Sequence, residues 1–214
     1  MFIQRIRVRF QKRDQLKAIS HLDLMRSFER TLRRTGMPLR MSEGFNPRPR
    51  ISFPMPLGVG MEGLDEVMEF ELADWVYPPE VERRLREQLP NGLELLSATV
   101  ADPGKSAQGR AATYEVAPSS ELAKDPRLND ESLRSLLARE EIPVRRIRKG
   151  REKTVNVRPF VLDLARRGDN VVLRVKADSK GSTRPEEILR ALGFDDATCR
   201  TSFTIARTRV ELAD

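Results

Sequence analysis

Residues 2–36, FIQRIRVRFQKRDQLKAISHLDLMRSFERTLRRTG, pass from one structural period to another. Up to Phe10, Phe2, Arg5, Arg7 and Arg9 alternate imperfectly with Ile3, Ile6, Val8 and Phe10, the two-residue period of a strand with one apolar face. From Ser20 the period lengthens. Met25, Phe28 and Leu32 form one stripe, with Leu24 beside it, when residues are placed at about 100° per step. Arg26, Arg30, Arg33 and Arg34 gather on the opposite side, so the helix is amphipathic with its guanidinium groups toward water. Ser20 is a good N-cap, Asp23 completes a capping-box-like pair, and Gly36 is a natural stop.

Working outward, the same alternation of elements continues. Short strands are expected around 38–41, 50–54 and 66–73, then a helix in PPEVERRLREQL (78–89) with Pro at its start, then a strand in LELLSATVA (93–101). The stretch DPGKSAQGRAA (102–112) reads as a linker. The order then returns: a strand at 113–118, a helix at 129–140, strands near 142–149, 153–158 and 170–177, a helix at 184–193 and a final strand at 201–212. The chain is therefore expected to be α+β, with antiparallel sheets in two tandem ferredoxin-like, split β-α-β units. The first spans 1–102 and the second 113–214. A single larger α+β sheet is the alternative.

The chain has 214 residues and a net charge of +7, enough length for a sizeable core. Its charge is segregated: residues 1–60 carry +9, residues 61–102 carry −8 and residues 143–214 carry +7. Two basic blocks around an acidic one suit a polyanion on one surface and a protein partner on another. No apolar run approaches the roughly 18 residues of a membrane span, and the start alternates apolar and basic residues, which predicts a cytoplasmic protein. One cysteine, Cys199, and one histidine, His21, exclude an internal disulfide and any ordinary zinc or iron–sulfur site made by this chain alone, so neither a metal nor another cofactor is expected.

Three stretches carry candidate chemistry. In the first helix, His21 falls on the apolar side of the helix start. It suits a partly buried support for the turn, or a general acid or base for RNA cleavage through its near-neutral pKa. In SEGFNPRPR (42–50), Gly44 permits a positive φ, and Pro47 and Pro49 stiffen the chain that presents Arg48 and Arg50. Phe45 offers a stacking face for a base, or alternatively a core side chain under a turn. In VRRIRKGREKTVNVR (144–158), seven basic residues and one acid surround Gly150, as in a hairpin with a basic tip. Arg145, Arg146, Arg148, Lys149, Arg151 and Lys153 there match phosphates without base readout. PLGVGMEG (56–63) lacks the endings of nucleotide-binding loops.

The stretch ISHLDLMRSFERTLRRTGMPLRMSEGFNPRPRISFPMPLGVG (19–60) closely resembles the hallmark of the radical-SAM-linked proteins, a bacterial family found alone or fused behind a B12-binding radical SAM domain. Ser20, His21, Leu22, Asp23, Arg26, Arg30, Gly44, Phe45, Asn46, Pro47 and Pro49 stand at positions of that pattern. Members are often encoded beside radical SAM proteins, an E/G-type ribonuclease and large-subunit ribosomal proteins. The resemblance thus implies an accessory protein, not itself an enzyme, that binds tRNA or rRNA and presents it to a radical SAM enzyme. In that reading Arg26, Arg30, Arg33, Arg34, Arg48 and Arg50 contact phosphates, the hairpin extends the footprint, and Glu66, Glu69 and Glu71 dock the partner. An RNA-processing endonuclease using His21, by fold-level analogy with CRISPR repeat-RNA endonucleases, and a protein-assembly factor are the alternatives.

Overall fold

The structure, a computed structural model, describes residues 2–148, 150–178 and 181–213. It is an α+β protein with five α-helices and mostly antiparallel sheet among the described residues. The chain forms two compact units, Met1–Gly109 with Leu212–Asp214, and Arg110–Glu211. No helix among the described residues is long and apolar enough to cross a membrane.

The first unit runs β1 (Gln4–Lys12), α1 (His21–Arg34), β2 (Ile51–Ser52), β3 (Glu62–Leu72), α2 (Pro78–Gln88) and β4 (Leu93–Ala101). Strand β1 pairs antiparallel with both β3 and β4. Phe70 of β3 is in register with Ile6 of β1 and with Ile51 of β2, which puts β2 on the side of β3 away from β1. Alternation then sorts the side chains. Ile6, Val8 and Phe10 join Leu24, Phe28 and Leu32 of α1, Val81 and Leu85 of α2, and Met68, Phe70 and Leu72 in one core. Arg5 and Arg7 turn to the other face, where Glu71 and Glu69 stand directly across in register. The Ser20 Oγ accepts the Asp23 amide, capping α1 as its sequence implies.

The second unit runs β5 (Gln108–Pro118), α3 (Asp130–Ala138), β6 (Pro143–Arg148), β7 (Arg151–Asn156), β8 (Val161–Arg167), β9 (Asn170–Lys176), α4 (Pro185–Ala191), α5 (Asp196–Thr201) and β10 (Phe203–Ala213). Here β9 lies between β5 and β8, and β10 neighbours β5. Setting aside the separate β6–β7 hairpin, the last strand lies beside the first, and the third lies between the first and the second, in both units.

Several elements depart from the sequence reading. The strand expected at 38–41 is reduced to two isolated bridges, Leu39↔Leu72 and Met41↔Pro49, because the prolines of this region interrupt a continuous ladder. Strand β8 was not expected: its pairing with β9 shifts register between Val161 and Asp163, and that irregularity breaks the two-residue period by which a strand is read. The six-residue α5 is also new, started by Asp195, whose carboxylate accepts the Thr198 amide at 2.7 Å.

Candidate nucleic-acid interface

The 42–49 loop is closed on itself and tied to α1, forming a ledge. Gly44 adopts φ +117°, a conformation in which a side chain is strained. Ser42 closes the loop twice, its amide donating to the Arg48 carbonyl at 2.7 Å and its Oγ accepting the Arg48 amide at 3.1 Å. Arg33 reaches across from α1 and donates to the Pro47 carbonyl at 2.8 Å. Phe45, at the tip, is fully exposed, so the alternative of a core side chain is excluded. An aromatic ring in water at the end of a closed loop retains its stacking faces.

Beneath the ledge, α1 places Arg26, Glu29 and Arg33 on one side by their spacing of three and four residues. With Asn46, Pro47 and Arg48 they line a shallow pocket. Arg26 and Arg48 keep 56% and 60% of their side-chain surface exposed, while Glu29 keeps 17%. Glu29 and Arg48 also line an adjoining groove of about 490 Å³, whose walls include Met25, Arg50 and Ile51. Glu71 and Glu69 lie along the same groove. Sequence reading missed Glu29. Its signal was present, since it falls between two arginines of one stripe.

His21 opens α1 with its ring edge-to-face on Phe53, centroids 4.9 Å apart, and is only partly buried. Asp23 accepts the Ser20 hydroxyl at 2.7 Å and an Arg26 N–H at 3.3 Å. The Ser20 hydroxyl first and Arg26 second hold its carboxyl below the usual aspartate range. These residues make a helix start. Arg30 is exposed and lines neither pocket. Arg34 points elsewhere and donates to the Gln88 carbonyl at the end of α2. Arg50 sits 4.0 Å from Glu43, at the edge of an ion pair.

The acidic residues expected to dock a partner are largely buried. Glu66, Glu69 and Glu71 are 4%, 1% and 9% exposed. Glu69 is paired with Arg7 at 2.9 Å and accepts the Ala107 amide at 2.9 Å. Glu71 is held between Arg5 at 2.6 Å and Arg40 at 2.8 Å. Burial opposes the ionisation of Glu71, but those two guanidiniums outweigh it and keep the carboxyl below the ordinary glutamate range. Glu66 packs against Gly63, where a Cβ would stand 2.5 Å from its Cγ. The sequence's basic strand and acidic strand thus neutralise each other across one sheet.

In the second unit the β6–β7 hairpin forms as expected, with Gly150 at φ +74°. Arg145 meets Glu152 at 3.5 Å, with both side chains largely exposed. Arg151 and Lys153 are exposed, the Arg148 backbone pairs with Arg151, and Lys149 lies outside the described residues. Arg146 is withdrawn from the candidate surface. Its Nε and Nη2 each donate at 2.7 Å to the two oxygens of the buried Glu187, and Nη2 also donates to the Ser182 carbonyl.

Over residues 5–185 the chain matches the family described as "Uncharacterized protein conserved in bacteria (DUF2344)". The chain belongs to this family. No curated protein matches it. Both the α1–loop pocket and the basic hairpin of this DUF2344 chain lie inside the matched span, whereas α5 and β10 lie beyond it.

Proposed function

We propose that this DUF2344 protein is a cytoplasmic RNA-binding protein that presents tRNA or rRNA to a radical SAM enzyme. The observation that carries the reading is the convergence of Arg26, Arg33 and Arg48 on one pocket, with Phe45 exposed on the same loop one residue before the pocket-lining Asn46. Guanidinium groups on a stiffened backbone, next to an aromatic face in water, combine the phosphate and stacking contacts that single-stranded RNA offers. The antiparallel order within each unit, last strand beside first and third between first and second, supports two ferredoxin-like units.

The accessory role rests on the likeness of residues 19–60 to the radical-SAM-linked proteins. It is consistent with chemistry, since cluster ligation calls for several thiolates and this chain has one cysteine, buried, with its thiol pushed up by burial. The burial of Glu66, Glu69 and Glu71 favours a docking face elsewhere. His21 supports the turn as a packed ring. Crosslinking in cells, with bound RNA sequenced and crosslinked proteins identified from the same sample, tests both halves. Enrichment of tRNA or rRNA fragments with a radical SAM enzyme is expected. Recovery of no RNA above a mock purification refutes the RNA reading, and RNA without that enzyme refutes the accessory role.

A further inference from the structure

The pocket between α1 and the 42–49 ledge carries three guanidinium groups and one carboxylate among its lining residues, a formal charge of +2. These guanidiniums are only lightly engaged. Arg48 stands 3.9 Å from Glu29, beyond hydrogen-bond range, and Arg26 meets Asp23 at 3.3 Å. Arg33 uses one N–H on the Pro47 carbonyl, which fixes its plane and leaves the rest of its fork. Asp23 accepts the Ser20 hydroxyl with one carboxylate oxygen and the Arg26 N–H, at 3.3 Å, with the other, so a bound phosphate would share Arg26 with it. Glu29 keeps 17% of its side-chain surface exposed and stands beside Arg48 at the outer limit of an ion pair.

Such a pocket is over-provided for an internal RNA phosphate. A phosphodiester has one negative charge and two non-bridging oxygens, and a single arginine satisfies it. A terminal phosphomonoester has close to two charges at neutral pH and three strong acceptor oxygens. Three forks arriving from two elements, α1 and the ledge, can bind three oxygens from different directions. The adjoining groove, which shares Glu29 and Arg48 and is walled by Met25, Ile51 and Arg50, has room for the nucleoside attached to that phosphate. Phe45 is exposed at the tip of the same loop, available to the next base along.

We infer that the Arg26–Arg33–Arg48 pocket binds the terminal phosphate of an RNA strand, with the terminal nucleoside in the neighbouring groove. The inference rests on the RNA-binding reading above and makes it specific. The protein takes hold of a strand end, so cleaved or processed RNA is its substrate class and an uninterrupted strand is not.

The test uses the full chain and one single-stranded RNA sequence in five forms. They bear a 5′-phosphate, a 5′-methyl phosphate, a 3′-phosphate, a 3′-methyl phosphate, or hydroxyl groups at both ends. Binding is read by fluorescence anisotropy at one salt concentration. One phosphorylated end should bind roughly tenfold tighter than the hydroxyl strand, the gain of one or two charge-assisted hydrogen bonds. Its methyl ester, with one charge fewer, should lose most of that gain. Arg26→Gln and Arg48→Gln should each shrink the advantage to about threefold or less, and circular dichroism checks that each variant is folded. Equal affinity for all five strands, or equal gains at both ends, overturns the terminal-phosphate site while leaving RNA binding in place. Failure of every strand to bind removes both.

Discussion

Replacing Arg146 by Met probes why a basic residue in the middle of a basic hairpin is not part of a nucleic-acid surface. Glu187 is 3% exposed and accepts four hydrogen bonds, two from Arg146 and one each from the Thr183 hydroxyl and the Arg184 amide. Arg146→Met removes the counter-charge and leaves a buried carboxylate with two neutral donors. Breaking a buried pair from one side costs about 3–5 kcal/mol. The Arg146 side chain is itself about a third exposed, so water reaches the vacated position and the loss should be nearer 2–3 kcal/mol. In urea, with a slope of about 2–3 kcal/mol per molar, the midpoint should fall by about 1 M at pH 7. The pH dependence fixes the cause. Burial opposes ionisation of Glu187, yet Arg146 with the other donors outweighs it, so the folded carboxyl sits below its ordinary value. In the parent, that stability is present above about pH 4.5 and is lost as pH falls through the lowered folded value. In the variant, burial prevails and the folded value rises above the unfolded one, so stability is lost as pH rises. The gap between the two proteins should therefore narrow as pH falls toward 4. Arg146→Met with Glu187→Gln should recover most of the loss at pH 7, because Gln keeps an acceptor for Thr183 and Arg184 without a charge. RNA affinity should be unchanged in Arg146→Met. A midpoint equal to the parent's at pH 7, or a double variant as unstable as the single, would refute the reasoning.

Phe45→Ala should leave the urea midpoint unchanged, since the ring is in water, and should weaken single-stranded RNA binding by about 1–3 kcal/mol, the value of one stacked base; an unchanged affinity would remove Phe45 from the interface. RNA affinity should fall with salt on a log–log slope near −3, from about four phosphate contacts at roughly −0.7 each, and Arg26→Gln with Arg48→Gln should make that slope shallower by about 1.4, two such contacts, as read by anisotropy between low and moderate salt. Glu71→Ala should destabilise the first unit by about 3–5 kcal/mol by leaving the nearly buried Arg5 without its carboxylate, and Glu71→Gln should cost less; thermal melts that do not separate the two would argue against a charge effect. His21→Ala should cost about 1 kcal/mol through the lost ring contact with Phe53 and leave RNA affinity within about twofold, while abolished RNA cleavage at an unchanged melting temperature would make the histidine catalytic.

What the sequence by itself determined were features set within a few residues of one another. The α1 helix, its Ser20–Asp23 start, the positive φ at Gly44, the alternating face of β1 and the hairpin around Gly150 all follow from local period, capping and turn chemistry. The same local logic put Arg26 and Arg33 on the solvent side of one helix. Tertiary structure decided which charges meet. Arg5 and Arg7 lie more than sixty residues from Glu71 and Glu69, and antiparallel register alone brings them opposite each other, turning an apparent acidic docking surface into the buried half of a charge ladder. Arg146 and Glu187 are likewise joined only by folding, which removes one arginine from a run that reads as uniformly basic. The converse holds at the pocket, where Arg48 converges with Arg26 and Arg33 because Ser42 and Arg33 fold the loop back over α1. Coulomb attraction falls with distance in space and not with separation along the chain, so a count of charges in sequence locates basic and acidic blocks, and only the fold shows which charges remain available to a ligand.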